Sequence, residues 1–219
     1  MIRIAMWIKK RQWKIYNLLN KNSSIMKKLI LFVAVCILFG AGNVMAQEGE
    51  HLKFMGISMN LNVNTFVEKL KQKGFKYEDK TDDAIVLKGS FAGYSNCKIY
   101  VMPNNENKAR IIGVSFDYAD SWQVLYANYL DIKTMLMQKY GTPIKEIEEW
   151  TGYSEPKDDN SRMHEVRMNR CNYQCVFNSN GNVIMVAIAN VKSFYSYVSL
   201  TYLDSINYNK GRERAIDDL

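Results

Sequence analysis

The stretch CKIYVMPNNENKARIIGVSFDYADSW, residues 97–122, sets the fold class. Cys97, Ile99 and Val101 alternate with Lys98 and Tyr100, and Ile112, Val114 and Phe116 repeat the same period of two. That period marks half-buried strands. The PNNENK segment between them is turn chemistry, so the two strands are antiparallel neighbours. Asp120 or Ser121 then caps a helix, because a short polar side chain there accepts hydrogen bonds from the first free amides.

Outward from this stretch, the helix carries its apolar stripe on Trp122, Leu125, Tyr129, Ile132 and Leu136, and stops at Gly141 with Pro143 beyond. Upstream, Asn62 caps a first helix with Val63, Phe66, Val67 and Leu70 inside and Gly74 past its end. A short apolar stretch at 51–59 leads into that helix. Residues 75–79 and 84–91 read as further strands. Downstream, strands are expected at 144–150, 163–177, 183–189 and 197–203. A bulge or turn falls near Asn169 and Arg170, and a hairpin loop lies at NSNGN, 178–182. Residues 207–219 read as a polar tail that frays.

The predicted fold class is α+β: two tandem units of one helix packed on an antiparallel sheet of about four strands, spanning 47–119 and 120–206. The helix ends VEKLKQKGF and KTMLMQKYG suggest a weak internal duplication.

Residues 26–46 read as a signal peptide. Lys27 and Lys28 precede an apolar run from Leu29 to Ala41, and Val44-Met45-Ala46 supplies a cleavage site after Ala46. As a helix the run is about 20 Å long, short of the roughly 30 Å hydrocarbon core. The expected location is therefore periplasmic or secreted, with membrane contact only if the segment stays uncleaved. Residues 1–25 form a basic segment upstream whose translation is open.

The formal charge of +7 is concentrated before the cleavage site, where eight Lys or Arg and no acid occur. The remaining 173 residues hold 21 basic against 22 acidic groups, which leaves no electrostatic footprint for nucleic acid. Three cysteines remain, and Cys171 and Cys175 on one strand are too far apart to bridge. At most one disulfide is available, Cys97 with Cys171 or Cys175, against three thiols buried in the core.

The sequence carries no nucleophile elbow, phosphate loop or zinc motif: after His164-Glu165, position 168 is Met. Asp82-Asp83 and Asp158-Asp159 read as solvated turn residues. No metal, cofactor or catalytic residue is assigned, and no enzymatic activity is expected. A hydrolase of unrecognised type using His164 and a Cys is the alternative. Binding is favoured, because tyrosines fall out of phase with the apolar register at Tyr100 and Tyr197. Tyr195, Trp150 and Tyr153 join them as candidate docking residues for another envelope or secreted protein.

The segment FMGISMNLNVNTFVEKLKQKGF, 54–75, and LMQKYGTP, 136–143, set in tandem helix-plus-sheet units after a signal peptide, resemble the β-lactamase-inhibitor-protein-like group and small bacterial envelope proteins related to the outer-membrane assembly lipoprotein family. The resemblance implies a tandem α+β architecture over most of 50–203, and no functional residue is carried over from it.

Overall fold

A computed structural model describes residues 50–152, 155–191 and 195–210. The proposed signal peptide, the basic segment before it and Tyr153 lie outside the described residues. A small hairpin opens the fold, β1 (Lys53–Phe54) and β2 (Ile57–Ser58), turned through Met55 (φ 52°) and Gly56 (φ 78°). Two successive left-handed residues make the tight turn that matches strand twist. Helix α1 (Val63–Gln72) follows, with the Asn62 side chain accepting from the Asn64 amide at 3.0 Å. Strands β3 (Lys76–Lys80), β4 (Ile85–Phe91), β5 (Tyr94–Pro103) and β6 (Ala109–Ser115) lead to α2 (Trp122–Tyr140). The Ser121 side chain caps α2, and Gly141 at φ 80° ends it. Then come β7 (Lys145–Trp150), α3 (Asp159–Arg167), β8 (Cys171–Ser179), β9 (Asn182–Val191) and β10 (Tyr195–Leu203).

The expected pair of four-stranded units is overturned. All eight long strands form one antiparallel sheet in the order β3-β4-β5-β6-β10-β9-β8-β7. The last strand of each half pairs with the other, Ser199 opposite Ser115 and Leu203 opposite Ile111. The physical reason is that β6 and β10 are buried on both faces, as central strands must be. A sheet ending at either would expose an apolar edge. The actual edges are β3, KYEDK, and β7, KEIEEW, whose charges discourage further strand addition.

Two further expectations are corrected. Residues 159–167 are helix, which takes in the first part of the strand expected from 163, because Asp158 and Ser161 form a reciprocal capping box. The change of phase near Asn169 is the helix-to-strand turn, with Asn169 at φ 58°. Asp158 is thus an N-cap, its carboxyl held below the usual range by the Ser161 backbone and side-chain hydrogen bonds. The start of the tail does not fray: residues 205–210 are helical, and buried Asn207 donates from Nδ2 to Met59 O at 3.0 Å and Ala109 O at 2.9 Å.

The hairpin, α1, α2 and α3 all bury their apolar sides with Leu87, Ile99, Val101, Ile112, Val114, Val186, Val198 and Leu200 in one core. These sheet residues are cross-strand partners or lie in phase with them, so they share one face. Among the described residues the core runs from Leu52 to Tyr202. It is packed without slack at Gly89, where an added Cβ would stand 2.6 Å from Phe75 Cδ1. Gly89→Ala is expected to cost about 1–3 kcal/mol in denaturant unfolding, since the Phe75 ring must shift inside a filled core.

Candidate functional site

The second face of the sheet is built from the alternate residues. Tyr100, Gly113, Thr201, Met185 and Val176 lie in one cross-strand row, and Lys98, Ser115, Ser199, Ala187 and Gln174 in the next. Val86, Met102, Ile111 and Leu203 lie in phase with them. These apolar side chains are buried, yet none belongs to the core beneath the helices, and no described helix packs over them.

Small residues floor the middle of this face: Gly113 and Ser115 on β6, Ser199 and Thr201 on β10, Ala187 and Ala189 on β9. Thr201 is 2% exposed, and its Oγ1 has no hydrogen-bond partner among the described residues.

Tyrosines gather at one end. Tyr118 stands 4.8 Å from Tyr195 and 6.0 Å from Tyr197, centroid to centroid. Tyr197 is buried, whereas Tyr118 and Tyr195 are 45% and 49% exposed. Burial pushes the Tyr100 hydroxyl up to about 12, with Tyr118 and Glu78 adding to the effect. Tyr197 is raised too, first by burial and then by Tyr100 and Tyr118, so one electrostatic neighbourhood links three rings. Of the sequence candidates, the structure thus brings Tyr195 and Tyr197 together, with Tyr100 close by.

Tyr118 was not legible in the sequence. Beyond Ser115 the chain leaves the ladder and touches β10 only through Phe116 N to Val198 O at 3.0 Å and Ala119 N to Ser196 O at 2.9 Å. This irregular link swings Tyr118 to the tyrosine cluster, against the strand alternation.

Trp150 does not join them. It lies in the helix layer, 4.9 Å from Trp122 and 5.4 Å from Tyr173, as part of an aromatic cluster that also holds Tyr126 and Tyr129. On the same side of β7, Glu146 and Glu148 accept from Lys133 of α2 and pin this edge strand beneath the helix. Burial pulls the Lys133 ammonium down, but those two carboxylates outweigh it and hold it up at about 12.

The possible disulfide is corrected as well. Cys97, Cys171 and Cys175 are free thiols. Cys97 is on β5 and the other two on β8, four strand positions apart, roughly 19 Å at 4.8 Å per step, against the 4.4–6.8 Å between Cα atoms that a disulfide spans. Burial pushes Cys97 and Cys175 up to about 11 and Cys171 to about 12. A raised folded-state value means the stabilisation is complete below the unfolded value near 8.5 and is lost as pH rises toward 11. Iodoacetamide is therefore expected to label the native chain slowly at pH 7 and all three thiols at once after unfolding. Rapid native labelling of one Cys would instead mark an activated nucleophile.

His164 is exposed on α3, and no hydrogen bond joins its imidazole to a thiol. Among the described residues, no group of three His, Cys, Asp or Glu side chains is placed to hold a metal ion. A cleft between the β1–β2 turn and α1 is lined by Met55, Ser58, Leu61, Lys69 and Lys73, with no acidic side chain among its lining residues. No family profile, curated protein or solved structure matches the chain.

Proposed function

We propose that this chain is an exported, non-enzymatic binding protein of the bacterial envelope, and that it docks a partner protein through the helix-free, tyrosine-bearing face of its sheet. One observation supports the reading: Tyr118 and Tyr195, 45% and 49% exposed, stand 4.8 Å apart at one end of that face, packed on buried Tyr197. Tyrosine supplies contact area at low entropic cost, which is why interfaces favour it. The charged edges argue for docking on the face rather than by strand addition.

Export is proposed from the basic start, the apolar run and Val44-Met45-Ala46. Among the described residues, no helix is long and apolar enough to cross a membrane. The test uses the chain from Gln47, immobilised in host envelope extract. The reading expects a partner whose retention is lost in Tyr118→Asp/Tyr195→Asp but kept in Met137→Asp, which alters an exposed residue of α2. Equal retention by both variants would refute it.

A further inference from the structure

The β1–β2 turn and the last turn of α1 border an open cleft of about 510 Å³, within the roughly 300–1,000 Å³ of small-ligand sites. Its lining grades from buried Ile57 through half-buried Met55, Ser58 and Leu61 to exposed Lys69 and Lys73. Four residues apart, the two lysines share one side of α1. Neither makes an ion pair among the described residues, whereas Lys71, on another side of the helix, is bonded to Glu68 Oε1 at 2.8 Å. Ser58 Oγ accepts from Asn60 N at 3.3 Å, and its own proton has no acceptor among the described residues. Met55 sits at φ 52° in the tight turn, a left-handed position that favours Asn, Asp or Gly and strains a long side chain. Turn chemistry does not call for a methionine there, but a flexible thioether supplies an adaptable apolar wall.

Lysines at the negative end of a helix also serve its dipole. Here the end is already partnered: Leu70 O accepts from Lys73 N at 3.0 Å and Phe75 N at 3.2 Å, and Lys71 O accepts from Gly74 N at 2.9 Å. Nor does a dipole call for an apolar cleft beside the charges. Apolar walls that end at two unpaired cations and a hydroxyl donor match a molecule with an apolar tail and an anionic head. We propose that this cleft binds a single-chain anionic amphiphile, with its tail on Met55, Ile57 and Leu61 and its headgroup between Lys69 and Lys73, where the Ser58 hydroxyl donates to it. A carboxylate and a phosphate head share this chemistry, so the sources are a free fatty acid or a single-chain phospholipid. The hairpin and α1 pack on the helix-bearing side of the sheet, so this site is independent of the docking face proposed above.

The test is calorimetric titration of the protein, purified from its host and washed free of lipid, with dodecanoate, dodecyl phosphate, dodecyl maltoside and dodecyltrimethylammonium below their micelle concentrations. The two anions should bind about tenfold more tightly than the maltoside, the cation should bind weakest, and the preference should shrink in high salt. The tighter of the two anions identifies the source. Acetate and inorganic phosphate, which lack the tail, should not bind. Lys69→Gln/Lys73→Gln should erase the anionic preference. Lys139→Gln/Lys157→Gln, which removes as much charge from exposed lysines outside the cleft, should keep it. Met55→Asn should weaken every tailed probe by about tenfold while the fold stays at least as stable, because asparagine suits the left-handed turn. Equal affinity for anionic and neutral heads, a preference that survives in Lys69→Gln/Lys73→Gln or is lost equally in Lys139→Gln/Lys157→Gln, acetate or phosphate binding as tightly as the tailed anions, or no binding by any probe overturns the proposal.

Discussion

Asp204→Ala is expected to lower the unfolding free energy of the chain by about 3–5 kcal/mol, and its melting temperature by roughly 10 °C. The Asp204 carboxylate is fully buried and accepts from Leu52 N at 2.9 Å, from Asn207 N at 2.8 Å and from His51 Nδ1 at 3.1 Å. Residues 153 positions apart in the chain thus meet at one side chain. Alanine leaves two buried amides and a ring nitrogen without an acceptor, and each orphaned donor carries its own desolvation cost. Asp204→Asn keeps an oxygen in place and should lose about half as much. Urea unfolding of the three proteins checks this, and a loss under 1 kcal/mol for the alanine variant would show that the clasp is dispensable.

Ala187→Arg is expected to lower stability by about 3 kcal/mol or more in urea unfolding. Ala187 lies between Ser199 and Gln174 on the helix-free face and is 1% exposed. A guanidinium placed there would be buried among close neighbours without a counter-ion, and each of those two facts costs free energy. A loss under 1 kcal/mol would show that this part of the face opens to water.

The two longer helices were legible because their signals are local. Asn62 and Ser121 cap, Gly141 stops, and the apolar stripes repeat at helical spacing. Helix α3 was not legible: its capping box uses Ser161 where Glu or Gln is the commoner partner, and only Met163 and Val166 are buried along it. Alternation placed Tyr100 and Tyr197 on the face opposite the core, which needs only a period of two. Whether that face is one surface or two depends on β6 meeting β10, a pairing of Ser115 with Ser199 that no local pattern encodes. Trp150 misled for a related reason, since an edge strand whose Glu146 and Glu148 turn inward to Lys133 inverts the usual inside-outside rule.

The central claim is that partners dock on the helix-free face, and photo-crosslinking in the host envelope tests it most directly. A photoreactive phenylalanine analogue is placed at Tyr118, Tyr195, Met137 or Ile144, one site per chain; all four are exposed, the first two in the tyrosine cluster and Met137 on α2. The account predicts a discrete adduct from Tyr118 and Tyr195 and none from Met137 or Ile144. Adducts from Met137 or Ile144 alone, or from none of the four sites, would contradict it.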